Sequence, residues 1–229
     1  MKYEYLIFNI IVISGPLFFG SLKRFYFINN LTKAIPSIII AAIPFIVWDI
    51  SVTNRHWFFA DKYTIGFRIF HLPIEEIMFF FTVPFACLFT WEMVKKHSLP
   101  FKLIEKSISE NAINIFSAIF FVFSIVTYFY SKEYTALAGL FFVASVLIDK
   151  IWGASILTNK KFLFFFILVS FFTFVFNGYL TWRPIVTYDE FYQLDFRIFT
   201  IPIEDFFFGY ALLIITTTIF EKRIRNVSK

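Results

Sequence analysis

"FRIFHLPIEEIMFF" occupies Phe67 to Phe80, and "FRIFTIPIEDFFFG" occupies Phe196 to Gly209. Nearly the same phrase is written twice, and each copy sets two adjacent carboxylates, Glu75-Glu76 and Glu204-Asp205, into strongly apolar sequence. A proline at the first turn suits a helix start, where its missing N–H costs nothing, and acids there meet the positive end of the helix dipole. Capping alone explains one acid per helix. Two acids per helix, duplicated, exceed it, because neighbouring helical positions diverge by about 100° and cannot both cap. Each acid held in hydrocarbon also costs on the order of 2.5–3.5 kcal/mol at a helix centre, so the default reading of such groups is functional.

Composition names the solvent. The chain has 229 residues, 59% hydrophobic, 24% aromatic and 16% charged, with a mean hydropathy of +0.74. That is an all-α integral membrane protein and not a water-soluble domain. Seven stretches approach the roughly 20 helical residues needed to cross about 30 Å of hydrocarbon: 4–20, 34–53, 73–91, 111–130, 134–149, 161–181 and 200–220. The fifth is the shortest and can extend through Lys150 and Trp152 to Leu157. Trp57, Trp91, Trp152 and Trp182 lie near span ends, where aromatic belts form.

A second echo lies upstream, "WDISVT" from Trp48 to Thr53 against "FNGYLT" from Phe176 to Thr181. Spans two and three therefore correspond to six and seven, span one pairs with five, and span four connects two three-helix repeats. An offset of four spans preserves direction, so the repeats are parallel about an axis along the membrane normal, with helices three and seven facing each other. The division expected is a first repeat over 1–100, a connector over 101–133 and a second repeat over 134–229. The N-terminal side of the spans carries Lys2, Arg55, Lys62, Arg68, Lys132, Arg183 and Arg197, and the other fourteen of the 21 basic residues fall on the opposite side. Cytoplasmic loops hold the excess, so the N-terminus is expected outside and the C-terminus inside.

Several chemistries are disfavoured. One cysteine, Cys87, and three scattered histidines, His56, His71 and His97, provide no metal-ligand spacing. The net charge of +5 sits between apolar segments and forms no nucleic-acid patch. No G-x-G-x-x-G fingerprint marks a dinucleotide site, so no cofactor is expected. Asp49 and its counterpart Asn177 are candidates for an interhelical hydrogen bond across the pseudo-twofold or for chemistry. Arg68 and Arg197 read as interfacial anchors, with partnership to the acids the lesser reading.

The duplicated "LPIEE" and "IPIED" motifs, each opening a transmembrane helix, with an upstream Asp in the first half and Asn in the second, resemble the heterodimer-type lycopene cyclases. In that family two small membrane subunits, c and d, act together or are fused. Residues 1–100 are similar to the first subunit and about 111–229 to the second. The resemblance implies closure of the linear ends of lycopene into rings to give β- or γ-carotene, in a bacterial or archaeal plasma membrane. The implied partners are lycopene or a related carotene, the lipid bilayer and other enzymes of carotenoid synthesis.

The residues suit that chemistry. Ring closure without redox change needs an acid to protonate the terminal alkene, a folded chain, and a base for the final proton. A carboxyl in an apolar pocket can be kept protonated at neutral pH. Glu75, Glu76, Glu204 and Asp205 are the catalytic candidates, Glu75 and Glu204 first. Phe79, Phe80, Phe207 and Phe208, with Asp49 and Asn177, are the substrate-binding candidates, since aromatic faces stabilise a developing cation and exclude water. A carotenoid hydratase of the same fold class, which lets water capture that cation, is the nearest alternative. A retinal photoreceptor needs a Schiff-base Lys that residues 200–220 lack. A proton-coupled transporter should break paired spans near the midplane, yet Pro84 has no partner in helix seven.

Overall fold

The computed structural model describes residues 2–96 and 107–227. In these residues seven α-helices carry the fold: α1 (Glu4–Ser21), α2 (Leu31–Val52), α3 (Ile74–Lys96), α4 (Glu110–Phe129), α5 (Glu133–Trp152), α6 (Phe162–Trp182) and α7 (Ile203–Val227). Among the described residues, all seven are long and apolar enough to cross a membrane. Six short strands of the described residues interrupt them: β1 (Trp57–Phe59), β2 (Arg68–Ile69), β3 (Leu72–Pro73), β4 (Val186–Tyr188), β5 (Arg197–Ile198) and β6 (Ile201–Pro202).

The element order from α1 to α3 recurs from α5 to α7, strands included. Within each repeat the first helix packs on the third, α1 on α3 and α5 on α7. The repeats then interlock through α2 on α7, α3 against α6, and α3 against α7 at the centre. Helix α7 is the most deeply buried, whereas α4 and α6 turn most of their surface outward. Helix α4 lies beside α5, giving the second repeat a flank that the first lacks.

The starts of α1, α3, α5 and α7 share one face of the bundle, held together by contacts that cross the repeats. Strands β1 and β4 form an antiparallel ribbon with Phe58 opposite Thr187. Glu4 accepts from Arg183 Nε at 2.6 Å and from the Tyr179 hydroxyl at 2.6 Å. Its counterpart Glu133 accepts from Arg55 at 2.6 Å and meets buried His56 at 3.1 Å. At the opposite end Lys95 Nζ ties Glu92, 2.5 Å away, to Glu221, which also accepts from Trp91 Nε1 at 2.7 Å.

The structure corrects some local expectations. Pro73 and Pro202 sit one residue before their helices, in β3 and β6, paired with Arg68 and Arg197. Each acid motif is thus preceded by a two-residue hairpin. In the first, Phe70 and His71 both adopt positive φ (48° and 71°), the turn whose twist suits a hairpin. Arg68 serves that hairpin and not the acids, donating to the carbonyls of His71 and Phe59 and to Asp61 at 2.6 Å; Arg197 likewise donates to the Thr200 carbonyl. Helix α5 includes Lys150 and Trp152 but stops before Leu157, because Gly153 takes a left-handed φ of 63° and closes the helix as a C-terminal glycine does. Trp57 and Trp91 are buried in the bundle and form no belt, while Trp182 is exposed.

Candidate active site

Glu76 and Asp205 are brought together; Glu75 and Glu204 turn away from them. A divergence of about 100° between neighbouring helical positions separates the members of each pair. Glu76 from α3 and Asp205 from α7 line one cavity of about 100 Å³ near the pseudo-twofold axis, with Asp49 and Asn177 from the second helix of each repeat. The β1–β4 ribbon closes it from the hairpin face through Trp57, Phe59, Val186 and Tyr188, and Phe79, Phe80 and Phe208 complete its apolar wall.

Phenols organise the acids. Tyr5 donates to Glu76 Oε2, and Tyr134 donates to Asp205 Oδ1 at 2.6 Å. Asp205 also accepts on Oδ2 from Tyr188 at 2.6 Å and from Asn177 Nδ2 at 2.8 Å. Burial, reinforced by the adjacent Asp205 carboxyl, pushes the Tyr188 phenol well above its ordinary pKa, so it serves as a neutral donor. Asn177 therefore pairs with Asp205, not with Asp49 as expected across the axis. Buried Asp49 keeps one carboxyl oxygen, Oδ2, without a hydrogen-bond partner.

Glu75 and Glu204 are buried too, but each holds a loop. Glu75 Oε1 accepts from the Ile65 N–H at 2.6 Å. Glu204 Oε1 accepts from the Leu194 N–H at 2.8 Å and from the Thr135 hydroxyl at 2.5 Å. These bonds pin the chain ahead of each hairpin against the start of its own helix. Phe207 points elsewhere than Phe208. It packs 4.6 Å from Phe120 and 5.8 Å from Phe142, centroid to centroid, beside Glu204 in a separate apolar space under α4.

Sequence reasoning missed the three tyrosines. Tyr5 and Tyr134 stand at the same 129-residue offset as Glu76 and Asp205, and each lies 71 residues before the acid it serves. That offset carries the signal for them. Tyr188 pairs with Trp57 across the ribbon and has Phe59, which carries no hydroxyl, 129 residues before it, so the repeat does not single it out.

Carboxyls and phenols thus meet inside an apolar helical bundle, an arrangement with the groups needed to hold and pass a proton. A family model described as Lycopene cyclase matches residues 2–94 and 131–222. The chain belongs to the lycopene cyclase family, and its activity is that of a lycopene cyclase, with a carotene as substrate. No curated protein and no solved structure matches it.

Proposed function

We propose that the chain is a redox-neutral isomerase in which Glu76 and Asp205, one acid from each repeat, carry acid-initiated ring closure. The observation that supports this reading is their meeting in one apolar cavity with phenols as their immediate donors. No Lys, Arg or His is among the lining residues, so protons are the counter-charge available to the acids.

Glu76, with a single phenol donor, is the proton donor. Asp205, held by three donors, is the better-stabilised anion and takes the final proton, since hydrogen bonds to the charged form favour it. The steps balance. The Glu76 proton adds to the outer alkene carbon one bond in from the gem-dimethyl end, leaving a tertiary cation. The next trisubstituted double bond attacks that cation to close the six-membered ring, which moves the charge to the ring carbon bearing the methyl group. Loss of a neighbouring proton to Asp205 restores the double bond. One proton enters and one leaves, with no electrons exchanged. Phe79, Phe80 and Phe208 face the cationic stages and exclude water that would otherwise trap them as an alcohol. Glu75 and Glu204 hold the chain ahead of each hairpin, at Ile65 and Leu194, to the starts of their helices.

The division into repeats over 1–100 and 134–229, with the acid face outside and the C-terminus in the cytoplasm, belongs to the same proposal and rests on the repeat and on the charge count. The test is substitution in cells that make lycopene. Glu76→Gln and Asp205→Asn should accumulate as folded protein and leave lycopene unconverted. Ring formation at the wild-type level in either variant overturns the assignment.

A further inference from the structure

The cavity that holds the acids is too small for a carotene end. Small-molecule sites commonly measure about 300–1,000 Å³, and this one is about 100 Å³. A second space completes it. A groove of about 330 Å³ runs between α1, α3 and α6 and shares Phe79, Asn177, Asp205, Gly209 and Leu212 with the acid cavity. Its walls are apolar, and its rim carries outward-facing Ile11, Phe19 and Phe172, residues that the bundle presents to the hydrocarbon around it.

The pseudo-twofold predicts a matching groove between α5, α7 and α2. It is filled. Phe45 lies 4.5 Å from Phe141 and 4.8 Å from Phe208 between ring centroids, and Phe80 packs beside them. The positions equivalent to Phe45, Phe141 and Phe80 on the open side are Thr173, Val12 and Gly209. Three aromatic rings on one side are thus replaced by a hydroxyl, an isopropyl group and no side chain on the other. A Cβ at Gly209 would meet nothing within 4 Å. Helix packing agrees, for α2 sits closely on α7 while α6 touches α3 more sparingly.

We infer that the groove between α1, α3 and α6 is the entrance through which one linear end of the carotene reaches the acids from the bilayer, and that Phe45, Phe80 and Phe141 close the symmetry-related route. The inference rests on reading the acid cavity as the place of ring closure. A twofold scaffold then has one working door. Each substrate molecule presents its ends one at a time, and the second end is reached only after the first has withdrawn.

A thiol-protection experiment tests this. Thr173→Cys in a Cys87→Ser background puts a single thiol on the α6 wall, and Glu76→Gln in the same chain keeps bound lycopene from being consumed. In lipid nanodiscs, lycopene should slow alkylation by a lipophilic maleimide by about tenfold or more, the ratio that 1.4 kcal/mol of binding corresponds to. Gly209→Phe should abolish that slowing, because its ring occupies the open space. Gly15→Leu, which fills the groove from α1 at another position with no atom within 4 Å, should do the same if the first variant folds poorly. Ala144→Cys in place of Thr173→Cys puts the thiol on the exposed α5 counterpart of groove-lining Gly15, leaves Phe45, Phe80 and Phe141 in place, and should show no lycopene effect. Equal protection at both positions, or none at the Thr173 position, overturns the entrance. Ring formation by the Glu76→Gln chain would instead overturn the acid assignment, and the protection pattern would still report the door.

Discussion

Glu204 tests the proposed division between acids that hold loops and acids that do chemistry. Its Oε1 accepts from the Thr135 hydroxyl at 2.5 Å and from the Leu194 N–H at 2.8 Å, distances typical of charge-assisted bonds. Hydrogen bonds to a charged group contribute about 1.5–3 kcal/mol net and neutral ones about 0.5–1.5. Glu204→Gln keeps an acceptor in place, so each bond weakens by about 1 kcal/mol, about 2 in all. Glu204→Ala removes both bonds and leaves the buried Thr135 hydroxyl without its acceptor, a loss of about 4 kcal/mol. Heating in detergent, followed by size-exclusion chromatography, should rank survival as wild type, then Gln, then Ala. Ring formation per surviving Gln molecule should stay near wild type, because Glu204 lies outside the cavity of Glu76 and Asp205. A Glu204→Gln protein that survives heating like wild type yet makes no rings would refute the reasoning and return the chemistry to Glu204.

Other outcomes follow from the joints between repeats. Fragments 1–106 and 107–229 should each be inactive and regain ring formation when co-expressed, since Glu76 and Asp205 come from different halves and the β1–β4 ribbon and Glu4–Arg183 pair rejoin them. An active single fragment would contradict the shared cavity. Burial and the neighbouring Arg55 lower the pKa of His56 below its ordinary 6.5, against the opposing pull of Glu133 and Asp189. The unfolded chain therefore takes up that proton more readily, so the His56 contribution is complete above about pH 6.5 and declines as pH falls below it. His56→Gln should flatten thermal survival across that window; an unchanged slope would remove His56 as its cause. A reporter fused after Lys229 should read cytoplasmic and one between Thr181 and Gln193 external, and reversed signals would invert the assigned orientation.

The helical membrane architecture was legible because lipid leaves the backbone little choice. Spans of the right length and hydropathy become helices, and the repeated acid phrase sets their pairing. The hairpins were not legible, because a two-residue turn built from Phe70 and His71 lacks the Asn-Gly or Gly signature that marks such turns. At the site, the four acids were recognisable, but two adjacent carboxylates in one motif cannot be ranked without knowing which way the helix faces. The helix turns Glu76 and Asp205 inward and leaves Glu75 and Glu204 to the loops. Asp49 and Asn177 were rightly matched as equivalents, yet their partners differ, since Asn177 is drawn to Asp205. The tyrosines escaped notice because a phenol in an aromatic-rich membrane chain looks like packing until its acid is found beside it. The difference between Phe45 and Thr173 is equally silent locally. It acquires meaning only when the two halves are superposed by their repeat and one groove proves full while the other is open.

Acid initiation means that a protein acid begins the reaction by protonating the end of a hydrocarbon. Purified protein in nanodiscs, equilibrated in heavy water and supplied with lycopene, should yield cyclised carotene carrying one deuterium per ring, on the ring carbon adjacent to the gem-dimethyl centre, as read by mass spectrometry and NMR. Cyclised product without deuterium at that carbon would contradict acid initiation by Glu76.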